Sequence, residues 1–243
     1  MNSKNTLALI GESASENCIK KLSSFGFEVL VLPAFDRLPS PVASHADMLM
    51  FPIDDKIFLS RDYAPLCSKT LERLRDKGYE IILCDCDIKN EYPFDVAFNI
   101  AKVGNSIFAN TKHMCGDVRD YIGGTPYSLN HVKQGYTKCS TAVVSDNAVI
   151  TADEGIATEA CKRGIDVLKI SNSSAVSLRG YDYGFLGGAC GMDGDTLYFC
   201  GNITSHPDYD KISAFCDLHG TKLCSLSDTT LSDVGGIFFF TQT

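Results

Sequence analysis

Apolar and polar positions recur along the chain in one order. Two short apolar runs flank a tight polar turn, a segment of helical period follows, a glycine ends it, and a further apolar run completes the unit. Over residues 44–84 the runs are HADMLMF and KIFLS around PIDD, then APLCSKTLERLRD with Leu66, Leu71 and Leu74 on one face, then Gly78 and YEIILCD. The predicted order is strand, strand, helix, strand, with the glycine just past the helix end. Residues 94–131 repeat it as FDVAFNIA, a turn at KVGN, SIFAN, a helix near Met114–Ile122, Gly123-Gly124 and PYSLNHV. Residues 135–170 do so most clearly: GYTKCSTAVVS, a turn at Asp146-Asn147, AVITA, the helix DEGIATEACKR with Asp153 as N-cap, Gly164 and IDVLKIS. Residues 182–225 give a strand in the stretch YDYGFLGGACG, a turn at MDGD, TLYFCG, a helix from about Pro207 to His219, Gly220 and TKLCSLS.

The two ends complete the series. Residues 5–32 hold TLALIG, the helix SASENCIKKLSSF, Gly26 and FEVLVLP, one strand short of a unit, and GGIFFFTQ within 232–243 is the missing strand. Pairing it with Thr6–Ile10 leaves neither apolar strand with a free edge. The pattern therefore predicts one α/β domain over 1–243, a five-bladed α/β propeller of pseudo-symmetric units closed by that pairing. The plain alternative is an open α/β sheet with an apolar edge strand at its C-terminal end.

Composition narrows the function classes. The 243 residues are 44% apolar and 21% charged, enough for a sizeable core, and the formal net charge is −8. That balance argues against sequence-independent nucleic-acid binding, which needs a basic surface, and is compatible with a small cationic partner. The six apolar-rich residues before Gly11 are too short for a signal segment, and no run is long enough to span a membrane. Eleven cysteines, scattered singly, read as reduced thiols of a cytoplasmic protein. Cys84 and Cys86, in CDCD, would share a strand face; with no second Cys or His pair spaced nearby they read as core thiols, so neither a metal nor a cofactor is expected. Oligomeric state leaves no mark in the sequence.

A ring of such units resembles the pentein fold of the guanidino-group-modifying superfamily, which includes arginine and agmatine deiminases, dimethylarginine dimethylaminohydrolases and amidinotransferases. The ribosome anti-association factor shares the fold without the chemistry. The stretch LRGYDYGFLGGACG at 178–191 is similar to the family's Glu-Gly-Gly-Asp segment: Gly180 and Asp182 match, while Arg179 and Tyr181 replace the acid and the second glycine. The ending is similar to Gly-Gly-Gly-Ile-His-Cys-Ile-Thr-Gln: Gly235, Gly236, Ile237, Thr241 and Gln242 match, but Phe238 stands for the His and Phe239 for the nucleophilic Cys. The resemblance implies a central site fed by the first strand of every unit, with Asp182 holding a cationic substrate.

Other units offer the chemistry that the ending lacks. In GYTKCST at 135–141, Cys139 takes the nucleophile's place in a pattern of the same local shape, and Lys138 precedes it. A neighbouring cation lowers a thiol's pKa, although adjacent residues of a strand face opposite ways. In SHADM at 44–48, His45 and Asp47 form a His-x-Asp pair on one strand face, suited to proton transfer and its orientation. Asn99 could also face the axis, Asp95 opens the same strand or instead caps a turn, and Tyr183 and Asp233 lie near central strand ends; Asn99, Lys138 and Tyr183 are the further candidate substrate contacts. GGACG at 187–191 reads as close strand packing, and His206 has no partner at ligand spacing. The plain alternatives are a buried strand cysteine like the other ten and a satisfied histidine. Two functions follow. One is a cysteine-dependent hydrolase or transferase in which Cys139 attacks a guanidino or amidino carbon, His45 moves protons, and Asp47 and Asp182 hold the cation. The other is a non-catalytic pentein that binds a partner, its axis plugged, for instance by Phe239.

Overall fold

The computed structural model describes residues 6–171 and 174–241. Their strands form five three-stranded sheets and one two-stranded sheet, and none of the six closes on itself into a barrel. Each three-stranded sheet has a first strand antiparallel to the second and a third parallel to it. The helix lies between the second and third. The first such unit runs Met50–Ile53, Lys56–Ser60, helix Ser68–Asp76 and Glu80–Cys84. The next has Ala101–Val103, Ser106–Ala109, helix Gly116–Gly123 and Ser128–His131. Then come Thr141–Ser145, Ala148–Thr151, helix Glu154–Lys162 and Asp166–Lys169, followed by Cys190–Asp193, Thr196–Phe199, helix Tyr209–Leu218 and Lys222–Ser225. The remaining sheet joins the two ends of the chain: Phe238–Phe240 pairs with Leu7–Gly11, and helix Glu16–Ser24 leads to Glu28–Leu32.

Local chemistry explains these elements. Ser15 Oγ accepts from Cys18 N–H at 3.3 Å and Asp153 Oδ1 from Ile156 N–H at 2.8 Å, each satisfying a donor that the first helical turn leaves free. Leu71 and Leu74, Val118 and Ile122, and Ile156 and Ala160 are the buried pairs, at helical spacing, that seat their helices on the sheets. The segment before Ser68 departs from the expected single helix: Ala64–Cys67 is a separate 3-10 turn carrying Pro65, and Leu66 is 52% exposed rather than on the buried face.

The apolar ending finds its partner where the pattern placed it. Leu7 pairs with Phe240, Ala8 with Phe239 and Leu9 with Phe238. The alternation of a strand then sends neighbouring rings to opposite sides. Phe240 meets Tyr79 at 5.1 Å between ring centres, while Phe239 packs on Phe27 at 5.0 Å and Tyr198 at 5.4 Å. Gln242 of the matched ending lies outside the described residues.

The first strands start later than the apolar runs suggest. HADMLMF is a one-turn helix, Ala46–Leu49, before the strand at Met50. In FDVAFNIA the strand begins only at Ala101, in GYTKCSTAVVS at Thr141, and in YDYGFLGGACG at Cys190, after a 3-10 turn at Gly187–Ala189. Short-range bonds hold these turns: Met48 N–H to His45 O at 3.0 Å, Asn99 N–H to Val96 O at 3.0 Å, Ser140 N–H to Tyr136 O at 3.0 Å and Ala189 N–H to Phe185 O at 3.2 Å. A short apolar run buried on all sides has the same sequence signature whether it is strand or turn. A parallel pair, Val176–Ser177 with Leu231–Ser232, has no counterpart in the sequence pattern. No helix among the described residues is long and apolar enough to cross a membrane.

Candidate active site

The segments just before the five first strands converge. His45 and Asp47 come from the turn ahead of Met50, Asn99 from that ahead of Ala101, and Lys138 and Cys139 from that ahead of Thr141. Gly187 and Gly188 precede Cys190, and Asp233 precedes Phe238. All of the titratable groups among them are buried except the ammonium end of Lys138, whose side chain is 14% exposed.

Asn99 organises the thiol. Its Oδ1 accepts from the backbone N–H of Lys138 at 2.7 Å and of Cys139 at 3.2 Å, which fixes the 136–140 turn. Its Nδ2 donates to Cys139 Sγ at 3.1 Å and lies 3.2 Å from Met48 Sδ. The thiol in turn donates to Asp47 Oδ2 at 3.0 Å. Lys138 Nζ donates to Gly187 O at 2.7 Å, stands 3.9 Å from the same Asp47 oxygen, and lies 5.5 Å over the Phe238 ring. Lys138 and Cys139 thus both reach Asp47, against the opposite-face geometry expected of a strand, because the backbone here is a turn.

His45 caps the one-turn helix, and a ring nitrogen, Asp47 and Cys139 Sγ fall within 4.8 Å of one another. Its Nδ1 is 3.7 Å from Asp233 Oδ1, too far for a hydrogen bond, and neither ring nitrogen has a hydrogen-bond partner. Asp47 Oδ1 is likewise buried without a partner. Asp233 is tied down on both oxygens: Phe185 N–H donates to Oδ2 at 2.9 Å and Gly235 N–H to Oδ1 at 3.1 Å. Two glycines make room for this packing. A Cβ on Gly188 would collide with the Asp233 carboxylate, and one on Gly235, whose φ is +77°, with His45.

Electrostatics set the resting state. Burial, then the charges of Asp47 and Asp233, push the Cys139 thiol well above its ordinary value, and Lys138 offsets only part of this. The resting sulfur is a protonated thiol. Burial also raises the Asp233 carboxyl, with His45 opposing. Asp95, fully buried under Tyr136, is raised by burial while the Tyr136 hydroxyl donates to it at 2.7 Å.

A cavity of about 220 Å³ opens on this cluster, lined among others by His45, Met48, Tyr136, Cys139, Phe185 and Asp233. Asp182 and Tyr183 line its outer part and are themselves exposed. Of the residues singled out in the sequence, His45, Cys139, Asp182 and Tyr183 border this cavity, Asp47 and Asn99 lie behind Cys139, and Lys138 borders a second cavity of about 220 Å³ together with Phe238 and Phe239. Phe239 therefore does not fill the His45–Cys139 cavity. The equivalence drawn between Cys139 and Phe239 also fails: Phe239 is the middle of a paired strand, whereas Cys139 precedes its strand by two residues. Asp233 stood in the sequence only as a residue near a strand end, and Met48 and Phe185 carried no signal. The Gly235-Gly236 pair beside Asp233, both at positive φ, was its visible trace of close approach.

No curated protein matches the sequence. Among solved structures, DDAH from Pseudomonas aeruginosa, a Cys-to-Ser mutant complexed with citrulline, is similar with TM-score 0.57 at 11% identity over 92% of each chain. The inosamine-phosphate amidinotransferase from Streptomyces griseus gives 0.54 at 12% identity over 92% of this chain and 77% of its own. The cyanobacterial arginine dihydrolase ArgZ gives 0.60 at 10% identity over 98% of this chain and 39% of its own. These likenesses show that the chain has the mixed α/β fold of the pentein structures. A family model matches residues 9–238, and the chain thereby belongs to the family of unknown function DUF6873.

Proposed function

We propose that the chain is a single-domain, five-bladed pentein that uses Cys139 to modify a guanidino or amidino small molecule as a hydrolase or transferase, in the cytoplasm, where the thiol stays reduced. The observation that carries this reading is the set of unpartnered buried polar atoms around Cys139: both His45 ring nitrogens and Asp47 Oδ1. Buried polar atoms without partners are costly, and here a planar cation with several N–H donors would satisfy Asp47 Oδ1 and the acceptor nitrogen of a neutral His45.

The chemistry follows from the charges. A guanidinium entering past Asp182 and Tyr183 brings positive charge beside Cys139 and offsets the carboxylates that hold the thiol protonated. The Sγ proton leaves along its bond to Asp47, and Sγ attacks the central carbon to form an S–C bond. Collapse breaks one C–N bond, and the departing ammonia or amine takes, through His45, the proton that Asp47 received. Water, deprotonated by His45, then adds to the thiouronium carbon; the S–C bond breaks, Sγ takes that proton back from His45 to return the thiol, and the protonated ureido product loses its extra proton to solvent. An amine in place of water would make the reaction a transfer.

The test compares a haloacetamidine, which is cationic, with the neutral haloacetamide of the same shape, reading each cysteine by peptide mass spectrometry. Saturable labelling of Cys139, faster with the cation by about 30-fold, is expected from one charge-assisted contact of about 2 kcal/mol. Equal rates, or labelling spread over other cysteines, would overturn it. The second reading, a non-catalytic pentein that binds a partner, is favoured by Phe238 and Phe239 at the motif where the superfamily keeps His and Cys. It predicts no turnover of any guanidino compound despite binding.

A further inference from the structure

The fold brings together a second set of donors, separate from the His45–Asp47–Cys139 group. Cys84 ends the strand Glu80–Cys84, and Cys86 follows two residues later. Cys115 immediately precedes the helix Gly116–Gly123, and Asp117 lies in its first turn. Donor atoms of Cys84, Cys115 and Asp117 fall within 4.8 Å of one another, and the Cys86 thiol, two residues from Cys84, also acts on that of Cys115. Cys84 and Cys115 are buried, Cys86 half-buried and Asp117 exposed. Three thiols pointed at each other gain little, since S–H is a weak donor and sulfur a weak acceptor.

We propose that Cys84, Cys86, Cys115 and Asp117 bind one zinc ion and clasp the end of the 80–84 strand to the start of the 116–123 helix. Three thiolates and a carboxylate make a closed tetrahedral set of the kind that structural zinc prefers. Zn–S bonds of about 2.3 Å place tetrahedral sulfurs about 3.8 Å apart, so Cys84, Cys115 and Asp117, already within 4.8 Å, need shifts of about 1 Å, and the half-buried Cys86 swings in as the fourth ligand. The negative charge exceeds that of the ion, and two features offset the excess. Cys115 immediately precedes the Gly116–Gly123 helix, whose N-terminal N–H groups and dipole favour negative charge there. The Arg61 guanidinium, bonded to Asp85 at 2.5 Å, also feels the charges of Asp117 and Cys84. An open surface cavity of about 250 Å³, bordered by Arg61, Cys84, Asp85 and Cys86, is a route of entry. The sequence alone showed only the CDCD pair, because Cys115 is supplied by the neighbouring unit.

The experiment titrates the reduced full-length protein with Co²⁺ and then displaces it with Zn²⁺. Tetrahedral cobalt gives intense visible bands, and each bound thiolate adds to a near-ultraviolet charge-transfer band. One equivalent is expected, with Zn²⁺ displacing Co²⁺ and the spectrum unchanged in Cys139→Ser. Cys86→Ser, at a half-buried position, should remove about a third of the charge-transfer intensity. Asp117→Ala, at an exposed one, should keep that band, shift the visible bands and weaken binding at least about tenfold. The proposal is overturned if the wild-type protein gives no thiolate–cobalt band, if Cys139→Ser rather than Cys86→Ser diminishes it, or if the anaerobically purified chain carries a Cys84–Cys115 disulfide.

Discussion

Two segments hold comparable places in the repeat and differ in what they present. The 136–140 turn and the terminal strand Phe238–Phe240 both lie at the opening of a unit, each between a glycine, Gly135 or Gly236, and a threonine, Thr141 or Thr241. In the first, Cys139 sits ahead of its strand, held by Asn99 and bonded to Asp47. In the second, Phe239 lies within its strand, paired with Ala8 and packed on Phe27 and Tyr198. A residue within a strand has its direction set by the pleat and its neighbours by the sheet. A residue in the preceding turn is free of that alternation, so consecutive side chains such as Lys138 and Cys139 reach the same carboxylate. Which side of the strand start a residue falls on decides whether it can join a common centre.

The largest expected effect breaks the comparison directly. Cys139→Ser should abolish amidine adducts and reduce any turnover on the order of 10⁶-fold, as loss of a nucleophile does. Adding Phe239→Cys to that variant should restore nothing, because position 239 faces the Phe27–Tyr198 cluster; the intact mass and the labelled peptide check both. Next, Gly188→Ala forces a methyl against Asp233 and should destabilise the fold by about 2 kcal/mol, lowering Tm by about 4–8 °C in thermal melts and slowing Cys139 labelling. An alanine at exposed Gly123, at the end of its helix, where an added Cβ meets nothing within 4 Å, should leave Cys139 labelling unchanged.

Smaller effects sharpen the electrostatic side. Asp47→Asn should cut the preference for the cationic electrophile about 30-fold, the worth of a charge-assisted hydrogen bond of about 2 kcal/mol. At the same time it should speed the neutral haloacetamide, since the Asp47 charge is one cause of the raised thiol pKa. In the wild-type protein the haloacetamide rate should climb about tenfold per pH unit through pH 9 without levelling, since the thiolate fraction is still small there. The folded thiol titrates above the unfolded one. Its contribution to stability is therefore full below the unfolded thiol pKa of about 8.5 and is lost as pH rises toward the folded value. Denaturant melts of wild type and Asp47→Asn between pH 7 and 10 check the sign, with the variant's loss smaller.

Much of this molecule is determined by its sequence alone. The strand–strand–helix–strand order, the Ser15 and Asp153 caps, and the pairing of the terminal strand with Leu7–Gly11 follow from local periodicity, turn chemistry and the need to cover apolar edges. The identities of Cys139, His45, Asp47, Asn99 and Asp182 as residues worth following were also legible, from their types and neighbours. The rest was decided by the tertiary structure. The stretches 45–49, 95–100 and 136–140 give no periodic signal that separates strand from turn, and only packing selects the turn. Asp233 is placed by Phe185 and Gly235 and by a two-residue strand pair, contacts too short or too distant in sequence to read. Lys138 turns to Gly187 and away from the His45 cavity for the same reason. The Cys115 cluster depends on a neighbour about thirty residues on. Periodicity is a property of consecutive residues, so it sets elements and edges; a site assembled from the openings of separate units depends on distances between them, which only the folded chain defines.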